Sequence, residues 1–328
     1  MRVPRQRKAA AQRVVAYLVT VWIVVTLVFV LPRAVPGDPL AVYDNAEAPL
    51  TPEARAAFES HYHLDRPLLA QYAHYLRSIA RADFGDSIAQ RASVGFLLRR
   101  RLPWTLLLVG TSLAVSSAVS FAAGITSAWR RGSATDRRLL TAMTMLHAVP
   151  EYVLATLLLI LFGVVIPIFP IASASTPFTA SSGQLYKLAD VAFHLALPAM
   201  ALSLGLVGTK FLLVRNTTIS VLGQEYMVAA RAKGLPDQLL KYRHAGRNVL
   251  LPFLTVVGLQ VAFAAGGALF VETVFGYPGL ASLMIPAVEN KDFPLLEACF
   301  LLMALLVLTV NLAVDMAYAR LDPRVGAE

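Results

Sequence analysis

Residues Val14–Leu31 read VVAYLVTVWIVVTLVFVL, an apolar run without a charged residue. A transmembrane helix needs roughly 20 mostly apolar residues, because each residue advances it by about 1.5 Å through the hydrocarbon layer. The basic residues before Val14 would also suit a secretory signal peptide. However, this run exceeds the roughly 7–15 residues of a signal core, and Leu31-Pro32-Arg33 is not a small-residue cleavage site. The run therefore predicts a retained membrane helix.

Five further stretches have the same apolar character and predict additional spans. They are Pro103–Trp129, Leu139–Pro167, Val191–Leu213, Val249–Val271 and Leu295–Ala319. The composition agrees with this interpretation, since 57% of the 328 residues are hydrophobic and 15% are charged. Ordinary soluble domains are about 45–50% apolar and about 25% charged. We therefore predict an all-α membrane protein with six transmembrane helices.

The positions of the basic residues predict the orientation of these helices. If the N-terminus is cytoplasmic, 18 of the 29 Lys and Arg residues fall in cytoplasmic segments, Lys210 among them, and the two short outer loops carry one each. Cytoplasmic loops carry such an excess of basic residues. We predict that both termini are cytoplasmic. The net charge of +9 then reflects topology and contact with anionic lipid, and no nucleic-acid partner is needed to explain it.

This topology leaves two long loops. The outer loop, residues 32–102, holds amphipathic runs at Pro52–Tyr62 and Leu68–Ala80 and predicts a small helical cap outside the cytoplasm. The second long loop, residues 215–248, is predicted to be cytoplasmic. The chain then divides into an N-terminal segment with the first helix, the cap domain, the transmembrane core and a cytoplasmic tail, at residues 1–31, 32–102, 103–319 and 320–328.

The cytoplasmic loop contains the most informative motif, Glu225–Pro236, which reads EYMVAARAKGLP. Good helix formers run up to Lys233, Gly234 can take the left-handed position that follows a helix, and Pro236 cannot continue one. The motif predicts a short helix that ends at this point. A second short helix is predicted at Asp237–Gly246, before the fifth span.

Two interpretations of the short helix fit its residue types. Ala229, Ala230 and Ala232 give a face that another backbone can approach closely, with Arg231 and Lys233 supplying charge around it. The alternative is a surface helix that lies on anionic lipid headgroups. From residue types alone, the two interpretations carry similar weight.

The loop resembles the EAA loop of permease subunits of binding-protein-dependent ABC transporters, at Ala229-Ala230, Gly234 and Leu251-Pro252. Val228 stands where the short consensus has Glu, and the spacing from Gly to Leu-Pro is longer. Both departures are similar to the dipeptide, oligopeptide and nickel branch of that family.

Other motifs resemble the B-type subunit of the same branch, which has a large outer loop after the first span. These motifs are Pro36-Gly37-Asp38-Pro39, Leu64-Asp65-Arg66-Pro67, Asp83-Phe84-Gly85-Asp86-Ser87, Glu272-Thr273-Val274-Phe275, Tyr277-Pro278-Gly279-Leu280, Asp292-Phe293-Pro294 and Asp322-Pro323-Arg324.

The resemblance implies a pore-forming subunit of an ATP-driven peptide importer in the bacterial inner membrane, which is not itself an enzyme. The implied partners are a second homologous permease, two cytoplasmic ATP-binding subunits and an extracytoplasmic substrate-binding protein. This chain would bind no cofactor, and ATP and Mg would bind to the partner ATPases. Nickel, glutathione or haem are the alternative cargoes. The residues implied to couple to the ATPases are Glu225, Tyr226, Ala229, Ala230, Arg231, Ala232, Lys233 and Gly234.

Ionisable residues inside the predicted spans are candidates for the transport pathway. Burying such a group in hydrocarbon is costly, so His147, Glu151 and Glu272 should face the bundle interior or a cavity. His147 and Glu151 would share one face of a continuous helix, and a helix-stabilising pair is the alternative interpretation. Candidate contacts with the binding protein or an outer gate are Asp65, Arg66, Asp83, Asp86, Tyr277 and Asp292.

Two other classes of protein have weaker support. A stand-alone secondary transporter often shows internal repeats, and the sequence has no convincing repeat. An intramembrane enzyme using His147 and Glu151 lacks a nucleophile–base pair or a metal-ligand spacing. His61-Tyr62-His63 has no third convergent ligand, and Gly205-x-x-Gly208-Thr209-Lys210 lacks the spacing of a phosphate-binding loop. We therefore predict neither a metal site nor an ATP site in this chain.

Overall fold

The computed structural model describes residues 3–34, 51–61, 65–87, 89–177 and 183–321, and in these ranges the regular secondary structure is helical. The first helices are α1 (Val3–Ala34), α2 (Pro52–His61), α3 (Leu68–Ala80), α4 (Val94–Trp129), α5 (Ala134–Ala148) and α6 (Glu151–Leu159).

 Helix α6 continues into a π-helical turn at Ile160–Val165. The remaining helices are α7 (Gln184–Leu222), α8 (Glu225–Ala232), α9 (Gly246–Val274), α10 (Ala281–Glu289) and α11 (Phe293–Leu321).

The helices long and apolar enough to cross a membrane agree with the predicted spans. Five qualify singly, in α1, α4, α7, α9 and α11, and the bent pair of α5 and α6 would make a sixth. The structure thus confirms an all-helical chain with five or six candidate spans. Helices α2 and α3 coincide with the two amphipathic runs of the predicted cap. The motifs at residues 36–39 and 322–324 lie outside the described residues.

Two helix boundaries differ from the prediction. Helix α4 begins at Val94, nine residues before the predicted start at Pro103, so Arg99, Arg100 and Arg101 lie on a helix that extends beyond the apolar segment. The predicted helix does begin at Asp237, but it is not a separate short helix, because it runs through a π-helical turn at Leu239–Ala245 directly into α9. The fifth span is therefore one continuous helical segment, Leu239–Val274.

The third predicted span is broken in the middle. Helices α5 and α6 meet at an angle of 100°. Val149 has extended backbone angles (φ −92°, ψ 125°), as expected because a following proline disfavours the helical region, and Pro150 has no N–H to donate. The prediction that His147 and Glu151 share a face of one helix is therefore wrong, since they lie on two different helices.

Among the described helices, the most extensive contact is between α4 and α7. Ser112, Ser116 and Ser120 are buried along the contact face of α4. The Ser112 hydroxyl donates to the carbonyl of Ala199 (3.3 Å), and the Ser120 hydroxyl donates to the carbonyl of Val207 (2.9 Å). Small hydroxyl side chains let two backbones approach and bond across the interface where no water is available.

Lys210 lies inside this contact, although the predicted topology assigns its charge to a cytoplasmic segment. It is fully buried on α7, and its Nζ donates to the Ser116 hydroxyl at 2.7 Å. The serines of α4 therefore serve two purposes: they allow close packing and they supply an oxygen to a buried lysine.

Ion pairs connect helices at both ends of the bundle. At the end near α8, the Asp136 carboxylate accepts hydrogen bonds from Arg215, from the Ser127 hydroxyl and from the Gly132 N–H, which ties the α4–α5 turn to α7. At the opposite end, Arg33 of α1 pairs with Glu297 of α11.

Helix α3 packs beside this second ion pair. The Tyr72 hydroxyl bonds the Thr26 hydroxyl of α1 at 2.7 Å, and Tyr75 packs on the ring of Phe29. Burial, reinforced by the carboxylate of Glu297, raises the pKa of the Tyr75 hydroxyl well above its usual value. Part of the outer loop is therefore packed against the transmembrane helices.

The α4–α7 contact can be tested at Gly124. A Cβ atom at this position would lie 2.7 Å from Cβ of Val214 and 3.1 Å from the carbonyl oxygen of Phe211. We expect Gly124→Ala to destabilise the protein by about 1–3 kcal/mol through overpacking, and to lower its thermal unfolding midpoint in detergent. Gly110→Ala on the same helix is the control, since a Cβ there meets no atom within 4 Å. Equal midpoints for the two variants would contradict the close contact.

Candidate functional site

The predicted short helix in the second long loop is present as α8, Glu225–Ala232. Met227 and Ala230, three residues apart, are buried and pack in one cluster with Leu240 and Ala245 of the π-helical turn. Trp129, at the end of α4, packs against the same cluster. The inward face of α8 therefore holds it against the ends of α4 and the beginning of the fifth span.

The end of α8 follows the sequence prediction. Gly234 has φ of +75°, the left-handed conformation that glycine adopts without steric cost. Its N–H donates to the carbonyl of Arg231 at 3.0 Å. Beyond it, the carbonyl of Pro236 accepts from the N–H groups of Leu239 and Leu240, which starts the next helical turn.

Polar and aromatic contacts add to the attachment of α8. The guanidinium carbon of Arg231 lies 5.5 Å from the centre of the Trp129 ring, and Nζ of Lys241 lies 5.2 Å from it, within the range of cation–π attraction. The Asn248 amide donates to the Tyr226 hydroxyl at 2.6 Å. Helix α8 is thus connected to α4 and α9 by side chains at both of its ends.

The outward face of α8 is partly apolar and includes two exposed alanines, Ala229 and Ala232. Val228 is 64% exposed and Tyr226 is 43% exposed. Of the eight residues predicted to couple to an ATPase, Ala230 points into the chain's own core, with 8% exposure. The other seven are exposed: Glu225, Tyr226, Ala229, Arg231, Ala232, Lys233 and Gly234.

The residues on either side of the break between α5 and α6 pack against glycines of α7. A Cβ at Gly208 would collide with the His147 side chain, and a Cβ at Gly205 would collide with the Glu151 side chain. The Thr209 hydroxyl lies 3.5 Å from Nε2 of His147. Although His147 and Glu151 do not share a helix, the structure brings both of them onto the same short segment of α7.

Glu272 is buried in a hydrogen-bonded cluster near the end of α9. The Thr105 hydroxyl donates to its Oε1 at 2.5 Å, and the Ala281 N–H donates to its Oε2 at 2.8 Å. The Thr105 hydroxyl also accepts from the Leu280 N–H at 2.9 Å. A Cβ at Gly279 would collide with the Glu272 carboxyl group, so only glycine fits there. Glu272 thus joins α4, α9 and α10.

Asp292 and Tyr277 are buried in the same part of the bundle. Asp292 accepts from the Ser87 hydroxyl at 2.5 Å and from the Ala89 N–H at 3.0 Å, which anchors the outer loop at the start of α11. Tyr277 is 1% exposed and meets Trp104 edge to face, with ring centres 6.0 Å apart. In this structure both residues make internal contacts.

The other outer candidates lie on the surface. Asp65, Arg66, Asp83 and Asp86 are all exposed. The Asp83 carboxylate accepts from the Gly85 N–H at 3.1 Å, and Asp86 forms an isolated bridge with Ser93. The predicted outer set is therefore split into exposed residues and buried residues.

Sequence patterns do not show which glycines receive other side chains or that Lys210 is buried. In the sequence, Gly205 and Gly208 stand out only as part of an incomplete phosphate-loop pattern. Gly205 and Gly208 are three residues apart, and His147 and Glu151 are four residues apart. This similar spacing of two glycines and two ionisable residues could have indicated that they meet. In the described part of the chain, no group of three His, Cys, Asp or Glu residues could hold a metal ion.

Comparison with known proteins places this architecture in one family of transport proteins. Residues 120–327 match the family described as binding-protein-dependent transport system inner membrane component. The chain belongs to this family, and it is therefore a multi-pass permease subunit of the inner membrane, a transport component rather than an enzyme.

Curated relatives match nearly the whole chain. It is 31% identical to the dipeptide transport system permease protein DppB of Bacillus subtilis, over 94% of this chain and 95% of the relative. It is also 31% identical to the di/tripeptide transport system permease protein DppB of Pseudomonas aeruginosa and to the glutathione transport system permease protein GsiC of Escherichia coli, in each case over 96% of this chain and 97% of the relative.

The cluster around Glu272 supports a stability prediction. Thr105→Val keeps the shape of the side chain but leaves Oε1 of Glu272 and the Leu280 N–H each without the hydrogen bond that Thr105 supplies. We expect a loss of about 1–3 kcal/mol, because each buried polar group would lose its partner. The measurement is the thermal unfolding midpoint of the purified protein.

Thr273→Val is the matched control for this variant. Thr273 is exposed, and its hydroxyl bonds only the Leu269 carbonyl of its own helix among the contacts described. If Thr105→Val lowered the midpoint no more than Thr273→Val, the cluster would not have the stabilising role that its geometry indicates.

Proposed function

We propose that this chain is the translocation subunit of an ABC importer and that its cargo is a short peptide. The observation that carries the proposal is α8, a short helix whose inner face is packed against the end of α4 and the beginning of the fifth span, and whose exposed outer face includes two alanines, Ala229 and Ala232. Such a face suits close docking of another protein. The relatives named for dipeptide and di/tripeptide transport support the choice of cargo.

The proposed assembly has four kinds of component. Two cytoplasmic ATPase subunits contact the exposed residues of α8, and a second homologous permease completes the pore. An extracytoplasmic binding protein delivers the peptide. ATP and Mg bind to the ATPases, and this chain binds no cofactor. This arrangement requires the α8 end of the bundle to be cytoplasmic, in agreement with the distribution of Lys and Arg.

The attachments of α8 indicate how movement would pass into the membrane. Its core contacts and its bonds to Trp129 and Asn248 join it to α4 and α9. When the ATPases close on ATP, a displacement of α8 therefore moves both helices together. We propose that this movement opens the pore alternately to the two sides of the membrane, a rigid-body type of transition.

At the opposite end of the bundle, the exposed residues are proposed to meet the binding protein. Asp65, Arg66, Asp83 and Asp86 are accessible there. Tyr277 and Asp292 would act beneath this surface, because Asp292 anchors the outer loop that carries Asp83 and Asp86. Their role would be to hold the docking surface in place rather than to touch the partner.

Glutathione is the second candidate cargo. It is favoured by the similarity to the glutathione permease GsiC, which matches this chain as extensively as the di/tripeptide permease does. Glutathione is itself a tripeptide with a free amino group, so the same pathway chemistry would suit both cargoes. Uptake of labelled dipeptides and of labelled glutathione by the reconstituted complex would separate them.

The coupling role of α8 is tested with Ala229→Glu. Ala229 is exposed, so a longer charged side chain should leave the fold intact and keep the ATPase surface at a distance. We expect loss of ATPase co-purification and at least about a ten-fold fall in ATP-driven peptide uptake, equivalent to about 1.4 kcal/mol or more. Ala230→Glu would not serve, because Ala230 is buried within the chain.

Ala134→Glu is the control, since Ala134 is also an exposed alanine but lies at the start of α5. Its uptake and unfolding midpoint should match those of the wild type. If ATPase subunits still co-purified with the Ala229→Glu variant and uptake were untouched, the coupling assignment would be wrong. Ion-driven transport by the chain alone, without ATPases, would instead indicate a secondary transporter.

A further inference from the structure

Glu151 is an ionisable residue in the membrane part of the bundle that lacks a cation partner. In the part of the chain that the structure describes, no salt bridge or side-chain hydrogen bond involves its carboxyl group. Its side chain is neither buried nor fully exposed. Asp136, Glu272, Asp292 and Glu297, by contrast, each accept hydrogen bonds from the chain.

The bundle makes room for this side chain from two sides. Gly205 of α7 approaches the Glu151 side chain so closely that a Cβ would lie 3.3 Å from Oε1. Gly267 of α9 lies on another side, where a Cβ would be 3.6 Å from the carboxyl carbon. Two helices therefore have no side chain where they meet Glu151, which leaves its carboxyl group in a recess formed by backbone.

The recess lies near the middle of the bundle. Gly205 is between Ser203 and Val207, and these two residues are bonded to Ser112 and Ser120 in the central part of α4. At such a depth a carboxylate facing lipid would be strongly disfavoured. Glu151 must therefore face either protein or a water-filled space.

The neighbouring surface of α5 favours a water-filled space. Thr141, Thr144 and His147 are all exposed on α5, and Thr209 is exposed beside His147. A row of polar side chains is unsuited to hydrocarbon. The surface that runs from Thr141 to Glu151 therefore fits the wall of a polar pathway.

We propose that Glu151 binds the protonated amino group of the peptide as it passes through the pore. The proposal rests on the proposed function and names a recognition point within it. A single carboxylate with no cation of its own attracts a primary ammonium, which it can bind through charge-assisted hydrogen bonds. The glycines let the Glu151 side chain lie directly against the backbones of α7 and α9, so the amino group would approach the carboxylate from its partly exposed side.

The first test measures the local attraction for cations without any peptide. Tyr152 is 52% exposed and follows Glu151 directly, and the one native cysteine, Cys299, is buried. In the assembled complex, Tyr152→Cys is treated with the cationic reagent aminoethyl methanethiosulfonate and with its anionic sulfonatoethyl analogue. In water, two unit charges about 7 Å apart attract or repel each other by an energy that changes a reaction rate a few-fold. The charge of Glu151 should therefore change the rate at which each reagent modifies the cysteine.

We therefore expect the cationic reagent to gain at least about a three-fold advantage over the anionic one from the Glu151 charge. Glu151→Gln in the same Tyr152→Cys background should remove this advantage. Glu289→Gln, an identical substitution at an exposed position on α10, should leave it unchanged. An equal rate ratio in the Glu151→Gln and parent proteins would overturn the proposal.

The second test measures transport by the complete complex in proteoliposomes. We expect Glu151→Gln to lower uptake of a labelled dipeptide by about ten-fold, while the unfolding midpoint and the co-purification of ATPases stay at wild-type values. Glu151→Asp should restore part of the uptake because it restores the charge. Unchanged uptake in Glu151→Gln would contradict the proposal. A wild-type complex that imports no peptide would overturn the proposed cargo, and the thiol measurement would still decide whether Glu151 attracts cations.

Discussion

The close contact between α4 and α7 is the interaction on which the other elements of the bundle depend. Serine hydroxyls on α4 bond to backbone carbonyls of α7, and Gly124 lets the two helices approach near Val214. In hydrocarbon there is no hydrophobic force between helices, so close packing and interhelical hydrogen bonds must hold them. This contact makes α7 a fixed support for the elements on its other side.

The segment of α7 around Gly205 and Gly208 has a different role. It receives the broken segment between α5 and α6, which would otherwise expose unbonded backbone groups near Pro150. The same break brings Glu151 beside α7 and α9 rather than along a continuous helix. Helix α7 is thus structural on the face toward α4 and functional, by our proposal, on the face toward α5 and α6.

Much of the fold could be predicted from local sequence. Runs of apolar residues located the spans, and the amphipathic period located α2 and α3. The end of α8 followed from Gly234 and Pro236, because a left-handed glycine and a proline act on the backbone within a few residues. Pro150 marked a disturbance in the third span, but its 100° bend depends on how α7 receives the two halves.

The candidate site was predicted less completely, because its geometry depends on residues far apart in the chain. Thr105 and Glu272 are 167 residues apart, and Ser87 and Asp292 are 205 apart. No local pattern shows that these carboxyl groups are bonded internally while that of Glu151 has no bonded partner among the residues that the structure describes. The sequence by itself determined the helical membrane class, the spans, the ends of α8 and the resemblance to binding-protein-dependent permeases, since those depend on local periodicity and motifs. Only the tertiary structure decided which polar residues are buried supports and which stay partly exposed, because that depends on which helices meet.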